Sequence, residues 1–161
     1  MKVSNLKAPF TILIISLLMI VPFAATAQIK LGPNPALGGY VIIVYKDGKH
    51  GVVAETTDQG IVTWNEVKNM INKPANHSAD GKKFIDWRLP NRTQQNLMFK
   101  SRFEIVNFSN SDYWCDCAAI GNDGGGAADP NLYKWAKSFS NGEVGLYSVD
   151  AKLAVLAVRN F

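Results

Sequence analysis

Phe84-Ile85-Asp86-Trp87-Arg88-Leu89-Pro90-Asn91-Arg92-Thr93-Gln94 is the stretch on which the reading of this chain turns. An apolar-aromatic run ends in Leu-Pro, and a helix start follows at once. Pro90 steers Leu89 toward extended backbone, so a strand-like approach is expected there. Asn91 can then cap a helix, and Gln94, three residues on, can reach back to complete a capping box. The stretch predicts a rigid elbow, with Trp87 and Leu89 turned inward and Arg88 and Pro90 as structural residues beside them. The helix is expected to run to about Arg102, basic at Arg92, Lys100 and Arg102 and packed through Leu97 and Met98. Phe99 falls among the charges and fits only as cover for a neighbouring loop.

Upstream, Gly39 to Tyr45 is β-branched and aromatic without helical period, which predicts a buried strand. Lys46-Asp47-Gly48-Lys49 makes a tight turn, with Asp-Gly supplying the positive φ, and His50 to Ala54 returns as the second strand. His50 beside that turn reads as a structural hydrogen-bonding residue. Thr63-Trp64-Asn65-Glu66 fits a second capping box, and Trp64, Val67 and Ile71 follow at helical spacing to about Asn72. Ala75 to Lys83 is polar and reads as a surface loop carrying a solvated His77.

Downstream, Tyr113 to Ala119 predicts a strand in which Trp114 is structural, and Leu132 to Phe139 and Gly145 to Val149 predict two more. Leu153 to Arg159 is a continuous apolar run, expected to be one central buried strand. Between them lies the irregular Gly121 to Asn131, with four glycines.

The first 27 residues predict a secretory signal peptide rather than structure. Lys2 and Lys7 precede the apolar run Phe10 to Val21, and Ala25-Thr26-Ala27 supplies the small-residue cleavage site. The run is shorter than the roughly 20 residues of a spanning helix, so no transmembrane segment is expected in the mature chain. Residues 28–161 suit one domain with one core. The formal charge of +4 falls by two when the leader is removed, and neither that charge nor export fits a nucleic-acid partner.

Cys115 and Cys117 are the only cysteines, too few for a disulfide framework. On a strand from Tyr113 to Ala119 both thiols would face one side with Cβ atoms about 7 Å apart, against the roughly 3.5–4.5 Å a disulfide requires. Two small buried packing residues are therefore expected, with intermolecular pairing or a strained local bridge as alternatives.

In this order, several pieces resemble the bacterial family named for the C-terminal domain of the Legionella collagen-like protein. The chain is also similar to the related Fibrobacter succinogenes major paralogous domains. The matching pieces are Gly38-Gly39 with its strand, His50 to Ala54, Thr63-Trp64, Asp86-Trp87-Arg88-Leu89-Pro90, Tyr113-Trp114, Trp135 to Phe139 with Asn141-Gly142, and Val155 to Arg159. The resemblance implies an α+β fold of the C-type-lectin-like kind on residues 28–161, two short helices with small antiparallel sheets, in a protein that is secreted, periplasmic or on the bacterial cell surface. Some such domains bind polysaccharides. Three departures stand out: Cys115 and Cys117 replace serines, Asn91 and Gln94 replace Thr and an acid, and the Gly-rich loop is this chain's own.

A noncatalytic binding module for a polysaccharide or a surface protein is the first expected function. Its candidate ligand residues are Asn122, Asp123, Asp129, Asn131, Tyr133 and Trp135, amides and acids for hydroxyls and aromatic faces for sugar rings. The calcium motif of true C-type lectins would occur here in the wrong order, so neither a metal nor another cofactor is expected. A structural subunit of a surface assembly is the alternative. An enzyme is not expected: no Ser-His-Asp order, HExxH or phosphate loop occurs, and the C-x-C spacing differs from the cysteine pair of formylglycine-generating enzymes. The export signal makes a direct prediction. Intact-mass measurement of protein recovered from the cell envelope or medium should show residues 1–27 missing; a full-length mass in the cytosol would refute it.

Overall fold

The computed structural model describes residues 28–105, 108–117 and 129–161, so the leader lies outside it. The backbone forms two small sheets. The first is antiparallel, in the order β1 (Gly32–Asn34), β2 (Gly39–Val44), β3 (Gly51–Ala54) and β9 (Val158–Asn160). The second runs β4 (Ile61–Val62), β8 (Leu153–Ala154), β5 (Asp112–Trp114), β6 (Tyr133–Ser138) and β7 (Val144–Ser148). All its pairings are antiparallel except β5 with β8. Two helices, α1 (Val67–Ile71) and α2 (Arg92–Lys100), complete an α+β architecture of the expected class. No helix among the described residues is long and apolar enough to cross a membrane.

Local chemistry sets most of these boundaries. Asp47 Oδ1 accepts the N–H groups of Lys49 and His50, and Gly48 takes φ 66°, which closes the β2–β3 hairpin. His50 turns its ring to the same carboxylate, a structural role as expected. At the start of α2, Asn91 Oδ1 accepts Gln94 N–H at 2.9 Å, and Gln94 Oε1 accepts Asn91 N–H at 3.0 Å. That box leaves two helix-end donors satisfied. Before α1, Glu66 Oε2 accepts the N–H and hydroxyl of Thr63, and a 3-10 turn over Trp64–Glu66 leads into the helix.

The elbow forms as the sequence predicts, with one difference. Trp87 is 6 % exposed and its indole N–H donates to Gly81 O at 2.9 Å, while Leu89 is only half-buried. Arg88 pairs its backbone with Val158 on the outer side of β9. Its guanidinium donates to Leu89 O, Gln94 Oε1 and Asn160 Oδ1, fastening the elbow to both α2 and β9. Trp114 is fully buried, donates to Val62 O, and meets the half-buried Trp64 edge-on at 5.6 Å.

Three expectations are corrected. The apolar run from Leu153 is not one strand: β8 belongs to the five-stranded sheet, β9 to the other, and residues 155–157 cross between them. Val155, Leu156 and Ala157 are all fully buried on the way, which is why the run lacks alternation. The strand from Tyr113 ends at Trp114, because Cys115 and Asp116 leave it for a disulfide turn, and residues 118 and 119 lie outside the described residues. His77 is not solvated; its side chain is 1 % exposed.

Trp87 therefore carries a stability prediction. Trp87→Ala removes a buried indole and its hydrogen bond, and should cost about 3–5 kcal/mol in denaturant unfolding. An unchanged midpoint would mean that the elbow does not pack as described.

Candidate functional site

The far end of the five-stranded sheet holds a polar groove of about 570 Å³. Asp112 begins β5, Ser138 ends β6, Ser140 and Asn141 form the following turn, and Glu143 and Tyr147 come from the β7 arm. Strand alternation brings them to one face, because Asp112 pairs with Ser138 and Ala136 pairs with Gly145. Lys152 adds one ammonium, and Ile61 an exposed apolar side chain.

Helix α2 positions the turn from behind. Gly142 adopts φ 84°, and a Cβ there would stand 2.8 Å from the Phe99 ring. Phe99 thus covers this loop, as its odd place on the helical wheel implies. Lys137, also against the Phe99 ring, donates its ammonium to Gly142 O. Burial and the nearby Arg92 charge both lower the Lys137 pKa. Within the groove, Asn141 accepts Glu143 N–H at 3.0 Å and donates to Glu143 Oε2 at 2.9 Å. Ser138 and Ser140 share a hydroxyl bond at 2.7 Å. Tyr147 donates its phenol to Asp112 Oδ2 at 2.8 Å. That bond raises the phenol pKa, helped by burial and by the charges of Asp112 and Glu143, so Tyr147 stays protonated. The result is a row of hydroxyl, amide and carboxylate groups already oriented by one another.

The candidate residues from the sequence that the structure describes lie elsewhere. Asn122 and Asp123 fall outside the described residues. Asp129 uses its carboxylate on Asn131 N–H at 2.8 Å and its carbonyl on Leu132 and Tyr133 N–H, so both residues shape a turn. Tyr133, exposed, and Trp135, half-buried beneath the Arg92 guanidinium at 5.2 Å, share one face of β6. By alternation it is the opposite face from Ser138, so the structure separates these aromatics from the groove. Asp112, Glu143 and Tyr147 were not singled out by the sequence; the only local sign was the polar turn after Phe139.

Cys115 and Cys117 form a disulfide with Cα atoms 5.1 Å apart, not the free packing pair the strand reading gives. The chain can close it because the backbone leaves the extended conformation at Cys115. Among the described residues no group of three or more His, Cys, Asp or Glu side chains could hold a metal ion. Tyr113 donates to both oxygens of Asp58, at 2.9 and 2.8 Å, and accepts Ser109 N–H. Burial raises the Asp58 pKa against the bonds from Tyr113 and Ser109.

His77 is placed against two acceptors. Nδ1 lies 3.0 Å from Glu55 Oε2 and Nε2 lies 2.7 Å from Ile71 O, with both side chains at most 1 % exposed. A neutral imidazole has one donor; two acceptors call for the imidazolium. Burial opposes that charge, but the Glu55 bond, the Ile71 carbonyl and the Glu55 charge outweigh it and raise the pKa. Both ring nitrogens are thereby occupied, which leaves none for general-base work.

No protein-family model matches the chain, and no curated protein matches it. Fold and site define an α+β protein with a polar, pre-oriented groove on one sheet end. The His77 charge also makes a prediction. Because the folded pKa is raised, the pair's contribution is complete below the ordinary value near 6.5 and is lost as pH rises through the folded value. Melting temperature should therefore fall across this range, and the double variant His77→Gln/Glu55→Gln should lack that part of the fall. Identical profiles would show an uncharged ring.

Proposed function

We propose that this chain is an exported, noncatalytic binding module for carbohydrate, with a C-type-lectin-like arrangement of its two helices and two sheets. The family resemblance around Asp86-Trp87-Arg88-Leu89-Pro90 motivates the arrangement. The groove carries the ligand reading: Ser138, Ser140, Asn141, Glu143, Asp112 and Tyr147 offer alternating donors and acceptors in one open concavity. Sugar hydroxyls need that mixture, since each donates once and accepts twice. The groups are held by mutual bonds before a ligand arrives, so little ordering entropy is lost on binding. Two carboxylates against Lys152 favour neutral glycans over sulfated ones.

A second reading is a subunit of a surface assembly. Leu132, Tyr133 and Leu146, all at least 40 % exposed, sit on the β6–β7 arm and give it an apolar surface. The two readings separate in one experiment. Purified protein is screened on a glycan array with and without calcium, and any hit is titrated against Glu143→Gln and Tyr147→Phe. The binding module requires a neutral glycan whose affinity falls about tenfold or more in either variant, the loss of one or two good hydrogen bonds. Concentration-dependent self-association with no glycan bound would favour assembly instead.

A further inference from the structure

The disulfide is placed unlike a structural staple. Only Asp116 separates Cys115 from Cys117, so their bond closes a very short loop. The chain entropy that a cross-link removes grows with loop length, and here it has little to remove. Nor does the bond hold its neighbours in position. Cys115 N–H donates to Trp135 O at 3.0 Å, and Asp116 N–H donates to Pro90 O at 3.0 Å. Trp114, one residue earlier, is fully buried with its indole bonded to Val62 O. The backbone at the bridge is thus fixed to β6 and to the elbow by bonds that do not involve sulfur.

The two cysteines differ in exposure. Cys115 is 2 % exposed, while Cys117 is half-buried and follows the exposed Asp116. A thiolate arriving from solvent therefore meets Cys117, with Cys115 as the leaving sulfur behind it. One buried and one partly exposed cysteine on a fixed backbone make up the asymmetry that exchange chemistry uses. The chain has no third cysteine to compete for either partner. The export signal read from residues 1–27 would deliver the pair to a compartment where thiols of newly arrived proteins are oxidised.

We propose that Cys115 and Cys117 form a thiol–disulfide exchange site that oxidises the dithiol of another exported polypeptide. A substrate thiolate attacks Cys117 Sγ, the Cys115–Cys117 bond breaks, and Cys115 leaves as a thiolate that takes up a proton. The second substrate thiolate then attacks the substrate sulfur of the mixed disulfide, forming the substrate disulfide and releasing Cys117 as a thiolate. Two electrons pass to this protein, leaving Cys115 and Cys117 as thiols. A low-molecular-weight disulfide such as glutathione disulfide reverses the sequence and restores the bridge, leaving as two reduced thiols. The groove residues take no part: the proposal rests on the export part of the reading above, not on carbohydrate binding, and adds a redox step away from a groove that remains noncatalytic.

The test uses the folded wild-type protein in buffers of reduced and oxidised glutathione, quenched with acid, alkylated and weighed. The expected result is paired gain of two alkyl groups as reduced glutathione increases, with a cooperative melting transition kept within about 5 °C of the oxidised form. Single-cysteine variants then read the direction of attack. Cys115→Ser should capture one glutathione at Cys117 at least about tenfold faster than Cys117→Ser captures one at Cys115. A reduced dithiol peptide should be oxidised stoichiometrically by the wild type and not by either variant. A bond that resists millimolar reduced glutathione until the chain unfolds would overturn the proposal. So would a larger loss of melting temperature on reduction, equal capture by the two variants, or no oxidation of the peptide. If the variants do not fold, the wild-type reduction, melting and peptide measurements decide alone.

Discussion

A single buried carboxylate ties four segments of this protein together. Glu55 is fully buried at the end of β3, where Oε1 accepts Thr56 N–H and Oε2 accepts His77 Nδ1 and Ser78 N–H. His77 in turn donates to Ile71 O at the end of α1 and lies flat against Trp87, with ring centroids 5.3 Å apart. Gly81 is pressed against the same carboxylate: a Cβ there would fall 1.9 Å from Glu55 Oε2. Its carbonyl accepts the Trp87 indole. One charge thus sets β3, the end of α1, the loop through residue 83 and the elbow. A buried ion pair is weak evidence of net stability, but removing one partner typically costs about 3–5 kcal/mol because the other stays unpaired.

The second constraint is the crossing at residues 155–157. Glu55 N–H donates to Ala157 O, Gln59 N–H to Val155 O, and Val155 N–H to Gly60 O. The crossing segment therefore replaces its missing sheet bonds with bonds to the chain just after β3. Its side chains divide between two cores: Leu156 joins the cluster around Met98, Tyr113 and Phe139, while Val155 and Ala157 join that around Trp87 and Trp114. Alternation persists through the crossing even though the sheet partner changes.

These facts explain what the sequence could and could not reveal. The two capping boxes and the Asp-Gly turn were legible because their partners lie three residues apart and involve backbone geometry fixed by residue type. Phe99 was legible as an exception, since a large aromatic among charges must cover something. His77 was not, because its partner Glu55 lies 22 residues away and nothing local distinguishes a buried histidine from a solvated one. The run from Leu153 misled because burial on both sides looks the same in a central strand and in a segment between two sheets. The cysteines misled because an apolar run was carried past Trp114, where the ladder stops. The groove was least legible: Asp112, Ser138, Glu143 and Tyr147 are scattered polar residues that only the β5–β6–β7 register assembles.

Strand β5 lies between the two proposed sites, with Asp112 lining the groove and Cys115 following its last residue in the disulfide. Communication between them would have to pass through Tyr113 and Trp114. Both are fully buried, one in each core, and both carbonyls accept from the Gln95 amide, at 3.0 and 3.1 Å. Gln95 itself is 1 % exposed on α2. Such a segment is held through its side chains in both cores and through its carbonyls by a buried amide. Coupling between sites requires an element with two arrangements whose balance both sites can bias. The packing and hydrogen bonds around β5 supply no such element, so the two proposals are expected to be independent: reduction of the disulfide should leave affinity at the groove unchanged.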